Sequence, residues 1–262
     1  MVNKSFIFLA GHHRSGTSLL HEIIREHPSV SGFSDTGAPE DEGQHLQNVI
    51  KPAKSYGGPG RYIYNRSSHM TENHSLATDL SAESIMKQWS KYYDGSCEHY
   101  IEKSPPNLVR TRFLQKLFPN SKFIAILRHP LAVSFATQKW SKTSVNSLLE
   151  HTMLGYEIFL NDMKYLRNVY VIRYEDFVAN PQDEIDNIFE FLNLGSIHIQ
   201  HAVRPNVNDK YFSMWESNRK RFLNRILSPV NADLEERANK LGYSICDYQN
   251  LTPSSALGAH NN

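Results

Sequence analysis

The sequence predicts one α/β domain, a parallel sheet between two layers of helices. Four short apolar runs, at residues 5–10, 100–102, 122–127 and 169–174, are β-branched or aromatic, as strands buried on both faces are. Helical patterns separate them, and strands alternating with helices imply βαβ units and a parallel sheet. No repeat or low-complexity segment divides the 262 residues, a length that α/β folds reach as a single domain. The domain is expected over residues 1–250, with a Ser/Gly/Asn-rich tail at 251–262 expected to be disordered.

Each element has its own signal. The first strand delivers the chain into Gly11, and a helix is predicted over 17–27, where Leu19, Leu20, Ile23 and Ile24 form a stripe on one side. Residues 51–73, rich in Gly, Pro and Tyr, show no periodicity. A loop of that length in a compact domain suits a lid or substrate wall. Helical patterns follow at 79–93, 108–117, 145–166 and 182–194, the last opened by Asn180-Pro181. Trp89, Trp140 and Trp215 are expected in the core.

Composition excludes several function classes. Lys and Arg total 28 against 27 Asp and Glu, a net charge of +1, without the basic excess of a nucleic-acid or anionic-membrane surface. Cys97 and Cys246 are too few for a disulfide framework or a four-cysteine zinc site. The histidines have no metal-ligand spacing, so no metal is expected. The apolar run at 5–10 is short for a signal peptide, and no run approaches the ~18–20 residues of a membrane helix. A soluble, cytoplasmic protein is the expectation, with neither nucleic acid nor membrane as partner.

The chemistry is concentrated in Gly11-His12-His13-Arg14-Ser15-Gly16-Thr17-Ser18, between the first strand and the first helix. A Gly-rich turn with backbone N–H groups at a helix N-terminus is an anion site. Its spacing is that of a nucleotide phosphate loop, except that Thr17 stands where the lysine belongs. The cation is displaced to Arg14. The strand at 122–127 ends in Arg128-His129-Pro130, a cation where a metal-binding acid would be wanted. The implied nucleotide is bound through cations and amides. A metal-dependent P-loop small-molecule kinase and a non-catalytic nucleotide-binding protein are the competing readings.

With these pieces the sequence resembles the sulfotransferases that use 3′-phosphoadenosine-5′-phosphosulfate. The resemblance rests on residues 11–20, on 122–137, and on 169–194 with its Tyr-Glu-Asp-Phe, Asn-Pro and Phe-Leu-Asn-Leu. The layout is most similar to tyrosylprotein sulfotransferases and their bacterial relatives, through Arg-Ser-Gly-Thr, His27-Pro28 and Lys103-Ser104-Pro105. The resemblance implies a P-loop-like fold and transfer of a sulfuryl group to an acceptor hydroxyl, leaving adenosine 3′,5′-bisphosphate and needing no metal. It places the catalytic carboxylate on Asp35, where the relatives have Glu, and the active-site lysine on Lys103. Arg14 and Lys103 would stabilise charge on the sulfuryl and leaving phosphate, while amides of Ser15, Gly16, Thr17 and Ser18 hold the 5′-phosphate. Arg128 would take the 3′-phosphate, helped by Ser134 or Thr137, since Ala136 stands where the family has serine. Tyr174 and Arg204 complete the nucleotide set. The expected acceptor is a small molecule, and the acids at Asp35, Glu40, Asp41 and Glu42 would suit a cationic natural product.

Overall fold

The computed structural model describes residues 4–220 and 232–252. Its centre is a sheet of β1 (Ser5–Ala10), β2 (Val30–Gly32), β3 (His99–Lys103), β4 (Lys122–Leu127) and β5 (Val169–Arg173). All pairings are parallel, in the order β2-β3-β1-β4-β5.

Strand alternation divides the core in two. Phe6, Phe8 and Ala10 of β1 point to one face with Phe123, Ala125 and Leu127 of β4. Ile7 and Leu9 point to the other with Ile124 and Ile126. The aromatic face is covered by α2 (Asp79–Trp89), α3 (Thr111–Leu117), α4 (Pro130–Ser141) and α5 (Val145–Met163), through Ile85, Phe113, Leu131 and Phe159. The aliphatic face is covered by α1 (Thr17–Arg25), α6 (Tyr174–Ala179) and α7 (Pro181–Leu192), through Leu20, Ile24, Phe177 and Ile188. This is the three-layer α/β domain expected. Phe8 and Phe123 are fully buried, so truncating either to alanine costs about 3–5 kcal/mol.

From β1 the chain goes to β3 and β2 on one side and, later, to β4 and β5 on the other. The strand order therefore reverses between β1 and β4. At such a switch point, loops leaving the C-terminal strand ends diverge and open a crevice. Both the Gly-rich loop and Arg128 leave the sheet there.

Several elements differ from the sequence reading. β2 was not expected; Val30-Ser31-Gly32 is a short edge strand paired to β3, below the length at which period-two patterning is legible. The helix expected from 108 starts at Thr111, because Pro105–Val109 is a 3-10 turn. Helices α8 (Asp209–Lys220) and α9 (Ala232–Lys240) were also unexpected, and bury little more than Tyr211, Trp215, Leu234 and Ala238. The segment at 51–73 is a packed wall, with 3-10 turns at Ala53–Tyr56, Tyr62–Tyr64 and Arg66–Ser68. Tyr62 is fully buried and donates to the Pro105 carbonyl at 3.2 Å. Arg110 ties the segment down from below, donating to the Ser68 and Lys51 carbonyls. From residue 253 the predicted tail lies outside the described residues.

Candidate active site

The loop after β1 turns tightly enough to need glycine. Gly16 caps α1 at φ 108°, and a Cβ there would lie 2.7 Å from the Tyr174 ring. Arg14 also takes a positive φ of 68°, a conformation that costs a non-glycine residue free energy. The Ser15 N–H donates back to the His12 carbonyl at 3.1 Å and closes the turn. The amides of Thr17 and Ser18, in the first turn of α1, have no partner inside the helix. They present the positive end of the helix to whatever sits above them.

Above them is a cavity of about 260 Å³. Its floor is His13, Arg14, Gly16, Thr17, Ser18 and Leu19; its walls are Arg128, Tyr174 and Val207, Trp140, Pro105, and Glu40 with Glu42. Cations and helix amides thus face two carboxyl groups across one small space.

Arg128 is fixed from several directions. Its Nε and Nη2 donate to Asn208 Oδ1 at 2.9 and 2.7 Å, and Nη1 donates to the Arg14 carbonyl at 2.8 Å. The Tyr174 ring lies 4.0 Å from the guanidinium carbon. Asn208 is held by Glu175, whose Oε1 accepts from Asn208 Nδ2 at 2.7 Å and from the His129 N–H at 3.0 Å. Each Nη of Arg128 keeps one further N–H, so a rigid fork with spare donors borders the cavity. That is the chemistry of a phosphate or sulfate contact.

The opposite wall carries a carboxyl with a shifted protonation range. Burial raises the carboxyl of Glu42 to about 7, against the lowering effects of Lys103 and Gln44. Lys103 Nζ lies 3.6 Å from Glu42 Oε1 and donates to the Glu40 carbonyl at 2.8 Å. Gln44 Nε2 donates to Glu42 Oε2. A carboxyl tuned to this range at a cavity wall can exchange a proton near neutral pH. His13 lines the same cavity as a neutral imidazole, pushed down to about 3 chiefly by burial, with its Nδ1 lacking any hydrogen-bond partner among the described residues.

Residues 6–196 match the family model described as the sulfotransferase family. The chain belongs to that family. It is 21% identical over 254 residues to protein-tyrosine sulfotransferase A of Caenorhabditis elegans, covering 87% of this chain and 59% of the relative. It is 22% identical over 243 residues to an omega-hydroxy-beta-dihydromenaquinone-9 sulfotransferase of Mycobacterium bovis, covering 72% of this chain and 63% of that one. The chain thus spans about three fifths of the length of these two relatives. Among solved structures it shares the fold of the sulfotransferase domain from the curacin biosynthetic pathway (TM-score 0.55, 19% identity, 92% of this chain and 98% of that one). The sulfotransferase domain of the Synechococcus PCC 7002 olefin synthase is similar at TM-score 0.55 and 17% identity, over 92% and 96% of the two chains.

The sulfotransferase fold gathers only part of the expected residue set. Arg14, Gly16, Thr17, Ser18, Arg128 and Tyr174 converge on the cavity. Ser15 lies buried beneath them, its amide taken by the turn and its Oγ unpartnered. Ser134 is fully buried in α4 and Thr137 faces His12, His13 and His151, and neither is part of the cavity wall. Arg204 is exposed on the loop before α8, outside the wall. Lys103 is buried behind the wall rather than in it. Asp35 is exposed, at φ 53°, on a turn closed when Asp41 accepts from the Asp35 and Thr36 N–H groups. No residue of 51–73 lines the cavity.

Two features were not read from the sequence. Trp140 is 46% exposed, not in the core, with its ring 5.1 Å from the Arg14 guanidinium. Its place at the end of α4 beside a cation loop is a tertiary fact with no local signal. Glu175 belongs to the Tyr-Glu-Asp-Phe signature, but its partner Asn208 lies 33 residues away. Among the described residues no group of His, Cys, Asp or Glu is arranged to hold a metal, and no helix is long and apolar enough to cross a membrane.

Proposed function

We propose that this chain transfers a sulfuryl group from 3′-phosphoadenosine-5′-phosphosulfate to a hydroxyl of a small acceptor, with Glu42 as general base. The observation that carries the reading is the placement of Glu42, a carboxyl raised to about 7, across a small cavity from the Arg14 loop and Arg128. The residues present fit the donor: first-turn amides and Arg14 for the 5′-phosphosulfate, and the fixed fork of Arg128 for the 3′-phosphate. Tyr174, stacked on Arg128, adds a ring to the nucleotide side. When bound, the donor supplies the sulfuryl group and its phosphate leaving group.

Glu42 in its carboxylate form accepts the acceptor's hydroxyl proton, which a positioned base makes worth about 10²–10⁴ in rate. Lys103 stabilises that carboxylate and holds the Glu40 carbonyl. Arg14 neutralises charge growing toward the leaving phosphate. Asp35 keeps a claim as the base only if its turn refolds over the cavity.

Glu40 and Glu42 give the acceptor wall an acidic character that suits a small, cationic natural product. The named relatives act on a protein tyrosine and on an omega-hydroxy menaquinone derivative, so a phenol or an alcohol is compatible with the site. The free Cys97 and Cys246 suit a reducing, cytoplasmic setting.

Adenosine 3′,5′-bisphosphate without Mg²⁺ should raise the melting temperature, since a ligand of the native state stabilises it by mass action. ATP with Mg²⁺ should do far less. The reverse order would favour a metal-dependent kinase. Labelled donor incubated with metabolite extracts then identifies the acceptor, and absence of any transferred label would favour a non-catalytic nucleotide-binding protein.

A further inference from the structure

Glu42 sits between short 3-10 turns, at Pro39–Asp41 and Gly43–His45, with no long element to hold it. Its placement comes instead from the end of β3. Glu102 Oε1 accepts from the Gly43 N–H at 3.0 Å and from Ser104 Oγ at 2.5 Å. Ser104 Oγ in turn accepts from the Gln44 N–H at 3.0 Å. Asn107 Nδ2 fills Glu102 Oε2 at 2.6 Å and also donates to the Leu9 carbonyl in β1. From the other side, Trp89 Nε1 donates to the Gly43 carbonyl at 3.0 Å. The contact is so close that a Cβ on Gly43 would lie 2.5 Å from Glu102 Oε1. Glu102 and Ser104 are both nearly inaccessible to solvent.

We propose that Glu102 and Ser104 are positioning residues for the reaction: through the Gly43 and Gln44 amides they fix the turn that carries Glu42 at the acceptor wall. This rests on the reading of Glu42 as the base. The two consecutive amides after Glu42 are both captured by side chains of one strand end, which transmits the rigidity of the sheet to an otherwise irregular turn. Neither residue lines the cavity, so neither touches the reacting groups.

The arrangement has an electrostatic consequence. The charged or titratable groups around Glu42 are Lys103, Glu102, Glu40 and His45, with Arg14 and His13 lining the same cavity. Glu102 is the fully buried carboxyl of this set, pushed up by burial against the donors that hold it. In its ionised form it opposes ionisation of Glu42, and Lys103 favours it. Glu102→Gln keeps the size and removes that charge, but turns an amide N–H toward a donor already in place. Ser104→Ala removes the Gln44 anchor and one of the donors to Glu102 Oε1, and leaves the Glu102 carboxyl in place.

The structural readouts use the full chain without an acceptor. ¹³C-carboxyl NMR follows the titration of Glu42, assigned by its disappearance in Glu42→Gln, and amide hydrogen exchange follows Gly43 and Gln44. In Glu102→Gln the Glu42 midpoint should move to lower pH by about half a unit or more, and the Gly43 amide should exchange at least tenfold faster. In Ser104→Ala the Gln44 amide should exchange faster while the midpoint moves less. With 2-naphthol as probe acceptor, both variants should lower kcat about tenfold and leave adenosine 3′,5′-bisphosphate affinity within twofold. Wild-type exchange and midpoint in folded Ser104→Ala and Glu102→Gln would overturn the proposal. Should Glu102→Gln fail to fold, unchanged Gln44 exchange and rate in Ser104→Ala suffices to overturn it. Full turnover in Glu42→Gln would instead overturn the base reading, with the exchange results still reporting what holds the turn.

Discussion

The two sides of the cavity are built on different principles. The donor side consists of a strand end, a helix start and an arginine at the next strand end, all fixed by regular structure. The acceptor side consists of irregular turns in which Asp35, Glu40 and Asp41 all take positive φ. Regular elements aim donors by backbone geometry alone. The irregular side needs a separate set of side chains, Glu102, Ser104, Gln44 and Trp89, to aim one carboxyl. The difference teaches that an anion site can follow from the topology, whereas the proposed base depends on local side-chain contacts.

The largest expected effect breaks the acceptor side alone. Glu42→Gln should lower turnover by about 10²–10⁴ while leaving donor binding nearly unchanged. Asp35→Asn, on an exposed turn outside the wall, should lower turnover no more than about twofold. Melting curves must accompany both, and the opposite ranking would return the role to Asp35. The wild-type pH profile sharpens the same point. A base raised to about 7 is protonated below that value, so kcat/KM should rise with pH and level off above about pH 7. A limb near pH 4 would mean that Glu42 is not the group titrating.

The next effect breaks the donor side. Arg128→Ala removes the fork and its charge-assisted contacts, worth roughly 1.5–3 kcal/mol each, or tenfold and upward in donor affinity. Preference for a 3′-phosphorylated nucleotide over one lacking that group should shrink with it. Asn208→Ala keeps the charge but frees the fork from its anchor, and should cost less, about threefold to tenfold. Calorimetric titration with adenosine 3′,5′-bisphosphate and adenosine 5′-phosphate separates these cases. An Arg128→Ala protein that still discriminates fully would place the 3′-phosphate elsewhere.

These two sides also differ in how legible they were. The loop at 11–18 and Arg128 announce themselves because spacing, glycine and strand–helix order are local properties of the chain. The central strands were legible for the same reason, being continuous apolar runs. The resemblance implies Asp35 as the catalytic carboxylate from its position along the chain, which carries over only if the turns between are the same. The chain instead turns at Asp35, Glu40 and Asp41, and Glu42 arrives at the wall. No periodicity encodes such turns. Ser134 illustrates a related point: which face of its helix points to the cavity depends on where α4 begins, and Pro130 with the His129 cap sets that phase. Asn208 and Trp140 reach the site from distant parts of the chain, which no local pattern reports.

Acid should act on the donor side first. Burial holds His12 down to about 4 and His13 and His129 down to about 3. The unfolded chain takes up these protons near pH 6.5 and the native state does not, so stability is fully present above about 6.5 and is lost as pH falls toward 4. Each buried imidazole contributes a slope of up to about 1.4 kcal/mol per pH unit in that window. Glu42 works in the opposite sense, since its folded value is raised, and it costs stability as pH rises from about 4.5 to 7. Melting temperature against pH should therefore fall on the acid side, and His12→Asn should flatten part of that fall if it folds. In Glu42→Gln, where this opposing carboxyl is gone, a melting temperature unchanged between pH 6.5 and 4.5 would mean that these imidazoles are not held neutral.

The smallest expected effect concerns the junction between the two sides. Trp140 is half-exposed at the end of α4 and its ring lies 5.1 Å from the Arg14 guanidinium. Lys139 approaches the same ring at 5.0 Å. A cation over an exposed indole is worth about 0.5–1 kcal/mol. That is enough to bias where the long Arg14 side chain rests, though not to fix it. Arg14 already sits on a loop residue with positive φ, so its backbone is set while its side chain retains freedom. Trp140→Ala should weaken donor binding by about twofold to fivefold, because Arg14 must then be ordered on binding. Trp140→Phe keeps an aromatic face and should recover part of the loss. Glu42 titration should change little in either variant, since Trp140 is uncharged and burial, Lys103 and Gln44 are the leading influences on it. Tighter donor binding in Trp140→Ala would show that the indole holds Arg14 away from the nucleotide rather than ready for it.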